Sequence, residues 1–179
     1  MKKRSLSISI LILTVCLCTV GATFAWLIAA SNPVINTFTV GNITITASET
    51  TGNEYKLVPG VTVAKDPYVT VKKGSEASWL YIKLDASSGF SDYMTYAVAD
   101  GWTALDGVSG VYYREVGRAA EDISFAFLKD DCILVKDSVS EEMLQAIGEN
   151  PTLVLSAYAV QRSGVGTAAQ GWQSLQASS

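Results

Sequence analysis

The residues able to do chemistry are few, and their types exclude more than they suggest. The chain has 179 residues and no histidine. That removes Ser-His-Asp and Cys-His nucleophiles, the HExxH zinc site and His-ligated haem. The three cysteines are Cys16, Cys18 and Cys132. The first two lie in an apolar N-terminal run, so the remainder carries one thiol and no internal disulfide. Cys132 opens the apolar run Cys132-Ile133-Leu134-Val135 and reads as a buried small hydrophobe. Asp130, Asp131 and Asp137 offer oxygen ligands to calcium, but EF-hand spacing is missing and turn aspartates account for them better. Gly164-Val165-Gly166-Thr167-Ala168-Ala169 matches a dinucleotide-binding pattern. Only ten residues follow Ala169, too few for the helix, second strand and ribose-binding acid that the pattern needs. No spacing singles out a Ser–Lys dyad. Trp102, between two Asp-Gly turns, and Trp172, in the tail, are candidates for stacking on carbohydrate, with local packing as the alternative. Asn42-Ile43-Thr44 is a glycosylation sequon in a host that uses it, and otherwise a turn Asn before a strand. No cofactor or metal is expected.

Composition narrows the field further. There are 13 Lys+Arg against 17 Asp+Glu, a formal net charge of −4. A nucleic-acid binder needs a basic face for phosphates, so that class is disfavoured. Hydrophobic residues make up 49 % and charged residues 17 %, so a body of roughly 150 residues has ample material for a core without disulfides.

The N-terminus reads as an export signal. Lys2, Lys3 and Arg4 precede an apolar stretch, and Ala22 and Ala25 supply small residues at a cleavage region. Cleavage after Ala25 makes Trp26 the mature N-terminus, with Ala29-Ala30 as a competing site. An uncleaved anchor is the alternative, because no charge occurs between Arg4 and Glu49. A lipoprotein signal is rejected, since Val15 and Leu17 precede the two cysteines. The organisation expected is a signal peptide (1–25) that touches the membrane only transiently, and an apolar leader (26–35). A β-domain (36–162) and a C-terminal tail (163–179) follow. The leader is strongly apolar and requires a partner surface.

The elements that must position these residues are short strands. Thr37–Val40 alternates with apolar residues at even positions and Ile43–Thr46 at odd ones. That parity flip at Gly41-Asn42 suggests a β-bulge. Val61, Val63, Val69 and Val71 alternate around Pro67, which suggests an edge strand. In Trp79–Asp85, Leu80, Ile82 and Leu84 should face the core, with Tyr81, Lys83 and Asp85 opposite. Gly110–Val116 is another strand, and Ile123, Phe125 and Phe127 alternate again. Ser138 or Ser140 caps a short helix over Glu141–Ile147, stopped by Gly148. Thr152–Gln161 is apolar on both faces and reads as a central strand. About eight strands, one short helix and no βαβ alternation predict an all-β antiparallel sandwich behind an N-terminal signal helix.

Several segments, in this order, resemble the TasA/camelysin family of Gram-positive secreted proteins. They begin with Gly21-Ala22-Thr23-Phe24-Ala25-Trp26 and Asn36-Thr37-Phe38-Thr39-Val40-Gly41-Asn42-Ile43-Thr44-Ile45. Lys56-Leu57-Val58-Pro59-Gly60, Lys65-Asp66-Pro67-Tyr68-Val69-Thr70-Val71 and Trp79-Leu80-Tyr81-Ile82-Lys83 follow. Asp100-Gly101-Trp102, Val111-Tyr112-Tyr113-Arg114 and Ala157-Tyr158-Ala159-Val160-Gln161 complete the set. The resemblance implies processing by a SipW-type signal peptidase and a jelly-roll-like sandwich. It also implies assembly with itself and with other matrix proteins into biofilm-matrix fibres. In that family an N-terminal strand is donated to the next subunit, which makes Trp26, Leu27, Ile28, Val34 and Ile35 the candidate donor residues. A camelysin-like extracellular protease and a monomeric adhesin or binding module are the alternatives. The chain supplies no recognisable zinc site, so the expectation is a structural protein rather than an enzyme.

Overall fold

The computed structural model describes residues 27–29, 37–40, 42–51 and 54–177. The expected signal helix therefore lies outside the described residues. So do Ala25, Trp26, Val34 and Ile35 of the candidate cleavage and donor positions.

The described chain is mostly β. Its strands are β1 (Leu27–Ala29), β2 (Thr37–Val40), β3 (Ile45–Ser48), β4 (Glu54–Lys56), β5 (Thr62–Ala64), β6 (Tyr68–Val71) and β7 (Ser78–Ala86). They continue with β8 (Met94–Thr95), β9 (Thr103–Ala104), β10 (Val111–Val116), β11 (Ile123–Ala126), β12 (Cys132–Val135) and β13 (Leu153–Gln161). Three helices are interspersed: α1 (Phe90–Tyr93), α2 (Glu141–Gln145) and α3 (Ala168–Ala177). The largest sheet has the order β2-β13-β7-β10-β9, and two three-stranded sheets have the orders β11-β6-β3 and β5-β12-β8. A two-stranded ribbon pairs β1 with β4.

The long pair at the centre of the large sheet follows directly from its residues. β7 and β13 run antiparallel over nine matched positions, from Leu153 opposite Ala86 to Gln161 opposite Ser78. Leu80, Ile82 and Leu84 of β7 join Leu155, Ala157 and Ala159 of β13 in the main core. Ile45, Val69, Val71, Ile133 and Val135 from the two smaller sheets, and Ile43 just ahead of β3, join that core. Alternation thus places one face of each strand in the same apolar cluster. β13 is central, as its two apolar faces required, because its other face is covered as well.

That second cover corrects two expectations. The segment expected as a C-terminal tail carries α3: Ala168, Trp172 and Leu175 recur at helical spacing and are buried against Tyr81, Val111 and Val160. Tyr81 points opposite to Leu80 and Ile82 and is fully buried on that face. A helix also follows the Gly164–Gly166 turn, contrary to the expectation for that motif. Among the described residues the one expected short helix becomes three, of which α1 is a single turn. The expected cap is Ser140, whose hydroxyl accepts the Met143 N–H at 3.3 Å.

Three sheet-level expectations also change. β2 pairs with β13 in parallel, Ala157 opposite Thr37 through Val160 opposite Val40, so the fold is not purely antiparallel. The parity flip after Val40 is a change of sheet rather than a bulge, since β2 belongs to the large sheet and β3 to a small one. Pro67 separates two strands instead of lying in one. β5 is an edge, as Pro67 suggested, but β6 is the middle strand of its sheet. Pro67 has no N–H to give, and its carbonyl accepts the Phe127 N–H at 3.0 Å.

Candidate functional site

The candidate donor segment enters the described structure as β1. Leu27 lies opposite Lys56 and Ile28 opposite Tyr55 in the antiparallel β1–β4 ribbon. Ala29 lies opposite Glu54. These two strands form a sheet of their own and add to none of the larger three. A two-stranded ribbon of three residues a side is marginal without a third strand or a packed face.

The strand that receives β1 is carried on a short arm pinned at both ends. On one side, Leu57 is buried in the main core. The Pro59-Gly60 turn follows it, with Gly60 at φ 75° and its N–H donating to the Val135 carbonyl at 3.1 Å. On the other side, residues 49–51 are clasped by Lys65 and Asp66. Lys65 Nζ donates to both Glu49 carboxylate oxygens at 2.7 and 2.9 Å, and both side chains are only 8 % exposed. Asp66 accepts the Thr50 hydroxyl, the Thr50 N–H at 2.9 Å, and the Thr51 N–H and hydroxyl at 2.8 and 2.9 Å. The Thr50 hydroxyl, ahead of the opposing desolvation and the Thr51 donors, holds the Asp66 carboxyl well below the usual carboxylate range. β4 thus lies between two fixed points.

The other sequence candidates are dispersed. Asp130 and Asp131 adopt left-handed backbone conformations, φ 56° and 49°, which Asp tolerates better than most residues. Asp130 lines a groove of about 320 Å³ together with Thr95, Tyr96, Lys129 and Cys132. Cys132 is half-buried, not the fully buried hydrophobe expected. Asp137 lies elsewhere, its carboxylate against Gly60. Among the described residues, no three His, Cys, Asp or Glu side chains gather closely enough to hold a metal ion. Trp172 is 5 % exposed and packs on Tyr81 and Tyr158, so it is a core residue and not a carbohydrate platform. Trp102 is half-buried, donates its indole N–H to the Ala126 carbonyl at 2.8 Å and meets Phe127 edge-on.

Sequence reasoning passed over Arg114. It shares parity with Tyr112 and Val116, both of which pack into the main core. A charge on that parity was the available signal. Its guanidinium carbon lies 3.8 Å from the centre of the Phe125 ring and 5.3 Å from that of Trp102.

No family model, curated protein or solved structure matches the chain.

Proposed function

We propose that the chain is a secreted structural subunit of extracellular matrix fibres, of the TasA/camelysin type that its segments resemble. On this reading the three larger sheets are the layers of a jelly-roll-like sandwich. Residues 1–25 direct export and are removed by a SipW-type signal peptidase, and the protein acts without catalysis at the cell surface or in the matrix. Its partners are further copies of itself and other matrix proteins.

The observation that carries the proposal is the β1–β4 ribbon. An uncharged apolar segment is held by one three-residue strand, on an arm outside the main sheets. Little is lost when β1 leaves β4, and the equivalent strand of a neighbour restores the same main-chain pairing. Exchange between copies then closes edges that would otherwise pair promiscuously.

Deleting residues 26–35 tests the proposal. The expected product is a folded monomer that no longer elongates, read by light scattering and electron microscopy. If the shortened protein forms the same fibres as the intact one, the donor role is wrong. N-terminal sequencing of secreted protein checks the processing, with Trp26 as the expected first residue. A start at Ser31, or a retained Met1 in the membrane fraction, contradicts it.

A further inference from the structure

Three arginines fall among the described residues, and two of them face a glutamate. Arg118 meets Glu76 at 3.3 Å, and Arg162 pairs with Glu115. Among the described residues Arg114 has neither an ion pair nor a hydrogen-bond partner. Its Nε is sealed from solvent without a partner, a state not shared by its two terminal nitrogens, and the residue as a whole is half-buried. A desolvated donor left unpaired is costly, more so on a charged group. Burial accordingly disfavours the charged form of Arg114.

The surroundings fix this guanidinium in place. Phe125 of β11 covers it and Trp102 flanks it. Gly101, at φ 86°, brings its backbone so close that a Cβ there would lie 3.0 Å from an Arg114 terminal nitrogen. Trp102 is itself held by its bond to Ala126 and its edge contact with Phe127. The open terminal nitrogens are thus presented with little freedom left to lose on binding. Two parallel N–H donors suit a planar carboxylate. An aromatic face beside them suits the C–H face of a sugar ring.

We propose that Arg114, with Gly101, Trp102 and Phe125, forms a surface site for a carboxylated sugar, a uronic acid unit of an acidic polysaccharide. The site is independent of the β1–β4 ribbon and goes beyond the fibre reading. With a net charge of −4 the chain does not attract polyanions as a whole, so recognition rests on this local geometry.

The test is binding of polygalacturonate to the purified full chain, with dextran as the neutral polymer and dextran sulfate as the non-carboxylate polyanion. The expected result is binding of polygalacturonate over both controls, weakened at least tenfold by Arg114→Gln in a variant whose melting curve shows it folded. Binding unchanged in folded Arg114→Gln, or equal binding of dextran sulfate, overturns the proposal. So does self-association abolished by Arg114→Gln, which would assign the site to an acidic side chain of a second copy. A wild-type measurement covers the case of a variant that does not fold. Titration with glucuronate should shift the Trp102 indole N–H resonance, assigned through Trp102→Phe, and leave those of Trp79 and Trp172 in place. An unmoved Trp102 signal overturns the proposal as well.

Discussion

Gly171 is kept as glycine by a hydroxyl on another element. The Tyr81 hydroxyl donates to the Ala168 carbonyl at 2.7 Å, inside the smaller apolar cluster. A Cβ on Gly171 would lie 2.2 Å from that same oxygen. In an exposed helix, replacing Gly by Ala gains about 1 kcal/mol. Here Gly171→Ala should instead destabilise by about 1–3 kcal/mol, the usual cost of overpacking. In a Tyr81→Phe background the clash is gone, and the same substitution should be neutral or stabilising. Denaturant titration of the four proteins checks this, and additive effects would contradict it. Asp66 gives a pH-dependent counterpart. Its carboxyl is held below the model-compound value of 3.8, so its contribution is complete above that pH. It is lost as pH falls toward the folded value. Asp66→Asn should lower the melting temperature at pH 6 and flatten the acid-side decline between about pH 4 and 2. Parallel melting curves for the two proteins across that range would remove Asp66 from the account.

Among the elements, β7 shows how one strand serves three environments. Ile82 is fully buried in the main core, and Tyr81 fully buried in the cluster beneath α3. Lys83 shares the Tyr81 face but lies where that cover thins, 38 % exposed and paired with Asp85 at 2.9 Å. Ile82→Ala should therefore cost about 2–5 kcal/mol. Lys83→Ala should cost no more than about 1 kcal/mol, the range of a surface ion pair. Equal losses would mean that the strand's register is misassigned. The short helix α2 depends on its ends in a similar way. It has five residues, too few for helix propensity alone, and Ser140 with Glu141 and Glu142 supplies the cap and the favourable charges at its start.

For the whole molecule, stability is distributed unevenly. The β7–β13 pair has nine matched positions and covers on both faces. The β1–β4 ribbon has three matched positions and no further strand. Amide exchange should follow that contrast. The central amides of β7 and β13 should open only with global unfolding, whereas those of Ile28 and Tyr55 should exchange by local opening. Protection of the ribbon equal to that of β7 would remove the physical basis for strand exchange, because a strand that never leaves its own chain cannot be donated. The arm's two anchors, Leu57 and the Lys65–Asp66 clasp, would then be holding a permanent part of the fold.

What could be read without coordinates was what depends on near neighbours. Alternation over Trp79–Asp85 and Ile123–Phe127 assigned faces, because side-chain direction in a strand repeats every two residues. The double apolar face of β13 required a central position. Ser140 marked a helix start, and the Asp-Gly pairs marked turns, because those conformations are decided within a few residues. Partners were not legible in the same way. The parallel seat of β2 on β13, the crossing from β2 to β3 and the central place of β6 each depend on which distant segment lies alongside. Tyr81 was assigned the direction it has, but the cover over it comes from a helix 87 residues away, which alternation does not reveal. Arg114 needed the tertiary structure for the same reason. The strand's parity turns it toward the core, but only the meeting of β10, β11 and the Gly101-Trp102 turn leaves it stacked and without a counter-charge. Periodicity encodes which way a residue faces, and packing between distant segments decides what it finds there.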